Sequence, residues 1–395
     1  MEFKPSRTCF VVVLVTILII NMSFNAVTYG FDNDGYVNVE LYMIDYIFTM
    51  EVKGDVEIYF DIPVNYSDNS LTQYSYIVET GGNVEVIGNN NVEVKYSMFN
   101  GSYGYVIVKV NVKYINITNF IMNIENNPLM FKEYEDDVPR DVRSNYIGKP
   151  NRLVVDIVKG EFEAWLNRSG YSVVNASKAF IAFQAANFIY KHFISYNASA
   201  IPRTLEDVVE MRVGDCDDMS RVLLNLLWCY GVPAKIEYGY VYVPLNITLP
   251  VRRAHVIFKD NGPHAYVVAY IPPIGWVSLD LLAGARIFRP VLVTGYTVQG
   301  EVKREAIEGF IEFHEEHAYI EYVAVYSKPK SYNEMVSEAE NTILKQLNMT
   351  ELPISCKIKT LTTHFQKAMY YYRMMLAIIL AILIVIAIVL VLVKK

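Results

Sequence analysis

Cysteine is scarce in this chain of 395 residues, and no pattern organises the four cysteines that it has. They are Cys9, Cys216, Cys229 and Cys356, and none of them forms a Cys-x-x-Cys pair. Their spacing excludes a zinc ribbon or finger, and the three that follow the first apolar run make a poor disulfide framework. At least one thiol is therefore expected to be free for chemistry.

Basic residues and histidines are also few. The 35 lysines and arginines are outnumbered by 42 aspartates and glutamates, which gives a formal net charge of −7. Because nucleic-acid binding requires a basic surface, we exclude nucleic acid as a partner. Among the 6 histidines, His314 and His317 are close but lack the four-residue spacing of a zinc-binding His-Glu-x-x-His helix. We predict no metal site and no cofactor.

The N-terminal apolar run is typical of a secretory signal peptide. Lys4 and Arg7 precede a short uncharged stretch over residues 9–20, and this order of a basic segment and an apolar segment is that of a signal sequence. We assign residues 1–29 to a signal peptide. An uncleaved N-terminal anchor is the alternative interpretation.

The C-terminal apolar run is long enough to cross a membrane. Residues 374–393 carry no charge, tyrosines 370–372 precede them, and lysines 394–395 follow. About 20 apolar residues span the hydrocarbon core, and a positive flank favours the cytoplasmic side. We therefore expect a transmembrane helix over residues 369–393 that contacts the lipid membrane, a cytoplasmic tail over 394–395, and a body outside the cell. All nine Asn-x-Ser/Thr sequons lie between the two apolar runs, as in a surface glycoprotein.

Residues 30–130 show the alternation of β-strands. Apolar side chains alternate with polar ones around residues 37–41, 92–96 and 106–114, which is typical of strands with one buried face. Several short strands without a helical period predict an all-β sandwich domain. We expect this domain to be a binding, spacing or supporting module rather than a catalytic one.

A charged segment separates this region from the rest of the chain. Residues 131–143 are rich in charge and contain Pro139, so we predict a charged linker over residues 131–149. Residues 150–300 would then form a second domain, which we expect to fold by itself. Residues 301–368 are assigned to a membrane-proximal region.

The segment Gly214-Asp215-Cys216 opens a predicted helix. Over residues 216–230, apolar side chains recur three and four apart, which is typical of a helix with one buried face. Asp215 is placed as the N-cap and Asp218 completes a capping box. Cys216 then lies in the first turn, where unpaired N–H groups and the positive helix end favour a thiolate and an oxyanion.

The aspartates beside Cys216 oppose that thiolate. Asp215, Asp217 and Asp218 are anions, so the helix start alone does not activate the thiol. A cationic partner is needed, and histidine is the usual one. Cys229, on the same helix, is interpreted as a small buried hydrophobic residue.

A predicted hairpin supplies this partner. His264 follows a predicted turn over residues 260–263 and opens one strand, and Asp280 ends the returning strand. A hairpin brings the start of one strand close to the end of its partner. The Asp280 carboxylate can then hold the imidazole in one tautomer and stabilise its cation. His255 has no carboxylate placed in this way and is the weaker candidate.

Three sequence blocks together resemble the transglutaminase-like superfamily. They are Gly-Asp-Cys-Asp-Asp before an apolar helix that ends in Tyr-Gly-Val-Pro-Ala, then Gly-Pro-His-Ala-Tyr-Val-Val, then Gly-Trp-Val-Ser-Leu-Asp. The resemblance covers roughly residues 150–290 and implies a papain-like α/β core, with Cys216 as nucleophile, His264 as base and Asp280 as the residue that orients it. The predicted fold class is α+β: a papain-like transglutaminase-like core, preceded by an all-β sandwich domain, with a C-terminal transmembrane helix.

The resemblance also implies a reaction. A thiolate attacks an amide carbonyl and forms a thioester, which water hydrolyses, as in a protease or amidase, or which an amine cleaves, as in protein cross-linking. The sequence leaves both outcomes open, and we expect a protein or peptide substrate at the cell surface. A non-catalytic binding or adhesion module with the same fold is the alternative function.

Overall fold

The computed structural model describes residues 36–87, 93–115, 118–282, 289–328 and 330–349. The strands within these ranges are β1 (Tyr36–Glu51), β2 (Val56–Tyr59), β3 (Tyr66–Ser67), β4 (Leu71–Gly82), β5 (Val84–Ile87), β6 (Glu93–Met98), β7 (Tyr103–Ile115), β8 (Ser195–Tyr196), β9 (Val213–Gly214), β10 (Ala234–Val251), β11 (Ala254–Ile271), β12 (Gly275–Ser278), β13 (Val291–Thr297) and β14 (Ala318–Tyr326). The α-helices are α1 (Thr118–Asn126), α2 (Arg140–Tyr146), α3 (Lys159–Arg168), α4 (Lys178–Phe188), α5 (Leu205–Met211), α6 (Cys216–Cys229), α7 (Arg304–Glu316) and α8 (Tyr332–Gln346). Short turns of 3₁₀ or π geometry cover Lys132–Asp137, Val154–Val158 and Ile189–Phe193.

One large sheet organises the molecule. Its strand order is β13-β10-β11-β14-β1-β7-β4-β3, and β12 pairs with the far end of β11. Neighbouring strands are antiparallel, except that His255–Lys259 of β11 run parallel to β14. A separate three-stranded sheet has the order β2-β6-β5.

The predicted all-β sandwich domain is wrong, and the fold is a mixed α/β one. Strand β1 pairs with β7 on one side and with β14 on the other, so the N-terminal strands extend the sheet that contains β10 and β11. The alternation along β1 shows that it has one buried face, but a pattern of period two does not identify the partner strand. Pairs such as Tyr42 with Tyr326 join the two ends of the described chain.

The large sheet curls until its two edges meet. The Gln73 side chain of β4 donates to the Val293 carbonyl of β13 at 2.7 Å and accepts the Val293 N–H at 2.8 Å. The N–H of Val64 donates to the same carbonyl at 3.0 Å. Gln73 is buried, and a buried amide is stable only when it is hydrogen-bonded in this way. The first strands of the chain therefore lie against the strands that follow α6.

The two faces of the sheet are covered by different elements. On one face, α4 and α6 pack against the side chains of β10 and β11, among them Ile236, Ala265 and Val267. On the other face, Tyr266 and Val268 share a core with the small sheet, through residues such as Tyr96 of β6. The fully buried Tyr266 therefore lies in the core opposite α6.

A local sequence signal explains one feature of the structure, and another local signal is misleading. Ser177 caps α4 by accepting the Phe180 N–H at 3.1 Å, as its position before an apolar-periodic segment indicates. The turn predicted over residues 260–263 is wrong, because β11 continues through it. Asp260 has a φ of 54°, and the Asn261 amide donates to the Lys259 carbonyl at 2.8 Å, so the strand bends without leaving the sheet.

The predicted signal peptide or anchor over 1–29, transmembrane helix over 369–393 and tail over 394–395 lie outside the described residues. In the parts of the chain that the structure does describe, no helix is both long enough and apolar enough to cross a membrane.

Candidate active site

Cys216 is the first residue of α6, and its side chain is partly accessible to solvent. A capping box joins Asp215 to Asp218, in which the Asp218 carboxylate accepts the Asp215 N–H at 3.2 Å. The box fixes where the helix begins and leaves the other free N–H groups of the first turn beside the thiol. The helix start predicted from the sequence is therefore confirmed.

Gly214 makes this arrangement possible. A Cβ at this position would lie 2.7 Å from the Asp218 Cβ, closer than two carbons can approach. Any side chain there would push Asp218 out of the capping box. The glycine of the Gly-Asp-Cys block is thus required by a close contact at the helix start.

Ser220 ties the start of α6 to the sheet. Its Oγ lies 2.7 Å from the carbonyl oxygen of Cys216 and 3.2 Å from that of Ala265. Ala265 follows His264 in β11, so one hydroxyl group links the helical turn of the thiol to the strand of the imidazole. Nothing in the spacing of the sequence blocks marks Ser220 as a link between the helix and the strand.

His264 and Asp280 meet through the hairpin of β11 and β12. His264 Nε2 lies 2.7 Å from Asp280 Oδ2, and both side chains are buried. The other carboxylate oxygen, Oδ1, accepts the Leu282 N–H at 2.9 Å, which fixes the orientation of the carboxylate. The structure thus brings these two residues together where the sequence predicts.

The thiol of Cys216 lies within hydrogen-bonding and charge–charge reach of the His264 imidazole. Since Nε2 is bonded to Asp280, Nδ1 is the ring nitrogen left for the thiol. Burial lowers the pKa of His264, but the charge and hydrogen bond of Asp280, together with those of Cys216, raise it to about 10. At neutral pH the imidazole is therefore a cation, and such a cation favours a thiolate beside it.

The carboxyl groups around Cys216 are largely neutralised. Arg203 Nη1 lies 2.6 Å from Asp218 Oδ2, and Arg221 is ion-paired with Asp217. Burial raises the pKa of Asp215, as do its hydrogen bond to Asp217 and the nearby negative charges, to about 9, so it holds a proton at neutral pH. Two carboxylates and two guanidinium groups then balance, and the opposition to a thiolate that the sequence predicts is much reduced.

The same three carboxyl groups are the part of the described structure that comes closest to a metal site. The ligand atoms of Asp215, Asp217 and Asp218 lie within 4.8 Å of one another. Hard cations prefer such oxygens. Arg203 and Arg221 already supply the positive charge there, so the donors fit a metal ion poorly.

Three tyrosines that the sequence analysis missed surround the thiol. Burial raises the pKa of Tyr190, and the charges of Asp280 and Cys216 raise it further. Partial burial raises the pKa values of Tyr238 and of Tyr196, although Tyr196 is 46% exposed, and the charge at Cys216 contributes to both. All three hydroxyls stay protonated and are potential donors near the reacting atom. They come from a π-turn, β8 and β10, which no spacing rule connects to Cys216.

The weaker histidine candidate and the second cysteine lie away from this site. His255 is nine residues before His264 in the same strand, about 30 Å at the usual rise per residue. Cys229 ends α6, about 20 Å from Cys216. Burial raises the pKa of the Cys229 thiol, which keeps it protonated. The remaining cysteines lie outside the described residues.

Parts of this chain are similar to known proteins. Residues 172–281 match the sequence model of the Transglutaminase-like superfamily, which confirms the resemblance carried by the three sequence blocks. The uncharacterized protein YebA of Bacillus subtilis is 29% identical over 89 residues, which are 21% of this chain and 12% of that protein. The crystal structure of a "Putative Cysteine Protease" from Cytophaga hutchinsonii is 13% identical, with a TM-score of 0.44, and the alignment covers 75% of this chain and 94% of that one.

Proposed function

We propose, from the premise that residues 172–281 are a transglutaminase-like core, that this chain is a thiol enzyme that attacks amide carbonyls through a thioester on Cys216. The observation that carries the proposal is the chain of contacts from Cys216 to His264 to Asp280 at the start of a helix. It supplies a nucleophile, a proton carrier and a group that orients the carrier, which is the set that acyl transfer requires.

In the first half of the reaction, the Cys216 sulfur bonds to the carbonyl carbon, and the π electrons move to the carbonyl oxygen. Free N–H groups in the first turn of α6 are placed to bind this oxyanion. When the oxyanion collapses, the C–N bond breaks, and the leaving amine takes the proton of the His264 imidazolium. The acyl group remains on Cys216 as a thioester, and the imidazole is neutral.

In the second half, His264 accepts a proton from the molecule that attacks the thioester, and the C–S bond then breaks, which returns Cys216 to a thiolate beside the imidazolium. Attack by water releases an acid, as in a protease or amidase. Attack by a primary amine releases a new amide, as in protein cross-linking. The same residues carry both outcomes, and the substrate we propose is a protein or peptide, because such molecules supply the amide carbonyl that this set of residues attacks.

A peptide panel with and without an added primary amine tests the proposal. Wild-type protein should release acid, or form an amine adduct, from at least one amide substrate. Cys216→Ala should abolish both products, whereas Cys229→Ala, which changes the other cysteine of the same helix, should keep them. If the Cys216→Ala protein turns over the same peptides as wild type, the proposed mechanism is wrong. If neither protein reacts but peptides are retained on the folded protein, the non-catalytic binding module is the better description.

The location of the body outside the cell stays a proposal from the sequence. Protease added to intact cells should remove residues 36–349 if they are external. Survival of the body under conditions that digest a known surface protein would contradict it.

A further inference from the structure

The ring of a buried tyrosine lies next to the imidazole of His264 and nearly parallel to it. The rings of His264 and Tyr266 have centroids 5.8 Å apart and planes inclined by 20°, so they are stacked. Tyr266 is fully buried, and its hydroxyl donates to Glu237 Oε2 at 2.7 Å. The ring of Tyr266 is therefore fixed at its far end, and it presents a rigid face to the imidazole.

Glu237 is itself held from several sides. Its Oε1 accepts the Tyr66 hydroxyl at 2.6 Å and lies 3.3 Å from Lys235 Nζ. The ammonium group of Lys235 lies 4.6 Å from the ring centroids of Tyr66 and Trp276 and 4.9 Å from that of Tyr296. Buried charges persist only when they are paired and hydrogen-bonded. This network is therefore a rigid anchor for the Tyr266 hydroxyl.

The contact with Asp280 alone leaves the tilt of the imidazole ring unrestrained. A single hydrogen bond at Nε2 restrains the position of that nitrogen but still permits the ring plane to tilt about the bond. The opposite nitrogen, Nδ1, has to point at the Cys216 sulfur for proton transfer. A stacked aromatic face restrains that tilt, because the two planes must stay nearly parallel to keep their contact.

We propose that Tyr266 is a positioning residue that fixes the plane of the His264 imidazole, and that Glu237 fixes Tyr266. The inference rests on the proposed function, since it concerns the same thiol and imidazole. Tyr66 belongs to β3, so the N-terminal strands take part in holding the active site through the edge at which the curled sheet closes. The network does not touch the substrate, and its effect passes through the orientation of His264.

The test measures alkylation of Cys216 by iodoacetamide as a function of pH in the full chain. Tyr266→Leu removes the stacked ring, and Tyr266→Phe keeps the ring but removes the bond to Glu237. The matched controls are Tyr322→Leu and Tyr322→Phe, because Tyr322 is also fully buried and its hydroxyl donates to a glutamate, Glu338, at 3.4 Å, under α8 and away from His264.

Tyr266→Leu should raise the pH midpoint of alkylation by about one unit. It should also lower kcat on peptides by up to about 100-fold, with KM unchanged, as a misplaced reacting group does. The alkylation midpoint of Tyr266→Phe should lie between those of Tyr266→Leu and wild type. Both Tyr322 variants should keep the wild-type midpoint. Should Tyr266→Leu fail to fold, the comparison of Tyr266→Phe with Tyr322→Phe decides the question.

Three outcomes would overturn the inference. If a folded Tyr266→Leu protein keeps the wild-type alkylation midpoint, the ring of Tyr266 does not position His264. If Tyr266→Phe keeps the wild-type midpoint, Glu237 does not act through Tyr266. An equal shift in the Tyr322 variants would mean that the midpoint follows general stability. A wild-type Cys216 that already titrates as an ordinary thiol would instead overturn the proposed function itself, whatever the Tyr266 variants do.

Discussion

The charge around Cys216 depends on single residues, some of which are distant in sequence. The pair of Asp217 and Arg221 is spaced four apart on α6 and can be anticipated from the sequence. Arg203 comes from the segment before α5, and its contact with Asp218 is a tertiary one that no local pattern predicts. The sequence alone therefore predicts more negative charge beside the Cys216 thiol than the folded protein has there.

Replacing Asp215 by Asn should flatten the dependence of stability on pH. In the folded chain the pKa of Asp215 is raised to about 9, against about 3.9 in an unfolded chain. Between these values the folded state binds one more proton than the unfolded state. The stability that the Asp215 proton contributes is therefore complete at pH values below the unfolded pKa. It is lost as the pH rises to the folded pKa, by up to about 1.4 kcal/mol per pH unit.

Urea unfolding of both proteins at about pH 5 and about pH 8 measures this effect. Asn keeps an N-cap side chain without the titrating proton, so the Asp215→Asn protein should lose less stability between the two conditions than wild type does. An equal loss in the two proteins would mean that Asp215 ionises normally in the folded chain.

Asp280→Asn should lower kcat by about four orders of magnitude, as loss of the orienting carboxylate does in other triads. The amide no longer stabilises the imidazolium, and burial, which lowers the pKa of His264, is then less opposed. Peptide turnover measures the loss, and the near-ultraviolet circular dichroism spectrum should keep its wild-type shape. Turnover close to that of wild type would show that Asp280 does not act on His264.

At the scale of elements, the pairing of β10 with its two neighbours requires a glycine opposite His264. Gly239 pairs with His264 of β11, and a Cβ on Gly239 would lie 2.1 Å from the Leu292 carbonyl oxygen of β13. Gly239→Ala should therefore destabilise the fold by about 3 kcal/mol, as overpacking does. Gly295→Ala in β13 is the matched control, because nothing lies within 4 Å of its Cβ position.

Urea unfolding of the two glycine variants provides the measurement. Gly295→Ala should stay within about 1 kcal/mol of wild type, since alanine at a compatible position changes stability little. Equal stabilities for the Gly239→Ala and Gly295→Ala proteins would contradict the close contact between β10 and β13.

The elements that local chemistry specifies could be predicted, and those that depend on strand pairing could not. Asp215 and Asp218 identify the start of α6, because a capping box is a local signal. The turn predicted over residues 260–263 does not form, since β11 bends at Asp260 and keeps its partner strand. A turn-forming sequence can thus serve as a bend inside a paired strand.

At the scale of the whole molecule, the sheet joins segments that the sequence separates. The predicted domain of residues 30–130 and the predicted core of residues 150–300 share one sheet, and β14 of the predicted membrane-proximal region lies between them. Contacts such as Gln73 with Val293 depend on how the sheet curls. Alternation along a strand carries no information about such distant partners. The arrangement of these segments in one sheet could therefore not be predicted from the sequence.

The continuous sheet predicts that residues 150–300 do not fold cooperatively by themselves, which reverses the expectation from the sequence. Without β14, the segment His255–Lys259 of β11 loses one of its two neighbouring strands and keeps only β10, and without β3, Glu237 loses the Tyr66 hydroxyl. Thermal unfolding of residues 150–300 should be broad, whereas residues 36–349 should melt in one cooperative transition. A sharp transition of the shorter segment at a similar temperature would show that the core is independent.

The pH dependence of Cys216 alkylation tests the central claim most directly. If the His264 cation stabilises a thiolate, Cys216 should react rapidly near neutral pH, with a midpoint well below the value of about 8.5 for a free thiol. Cys229, half-buried at the other end of α6, should react slowly in the same sample because burial raises the pKa of its thiol. His264→Ala should raise the Cys216 midpoint, and His255→Ala should leave it unchanged. If Cys216 reacts as an ordinary thiol and His264→Ala changes nothing, the three residues are not a catalytic triad.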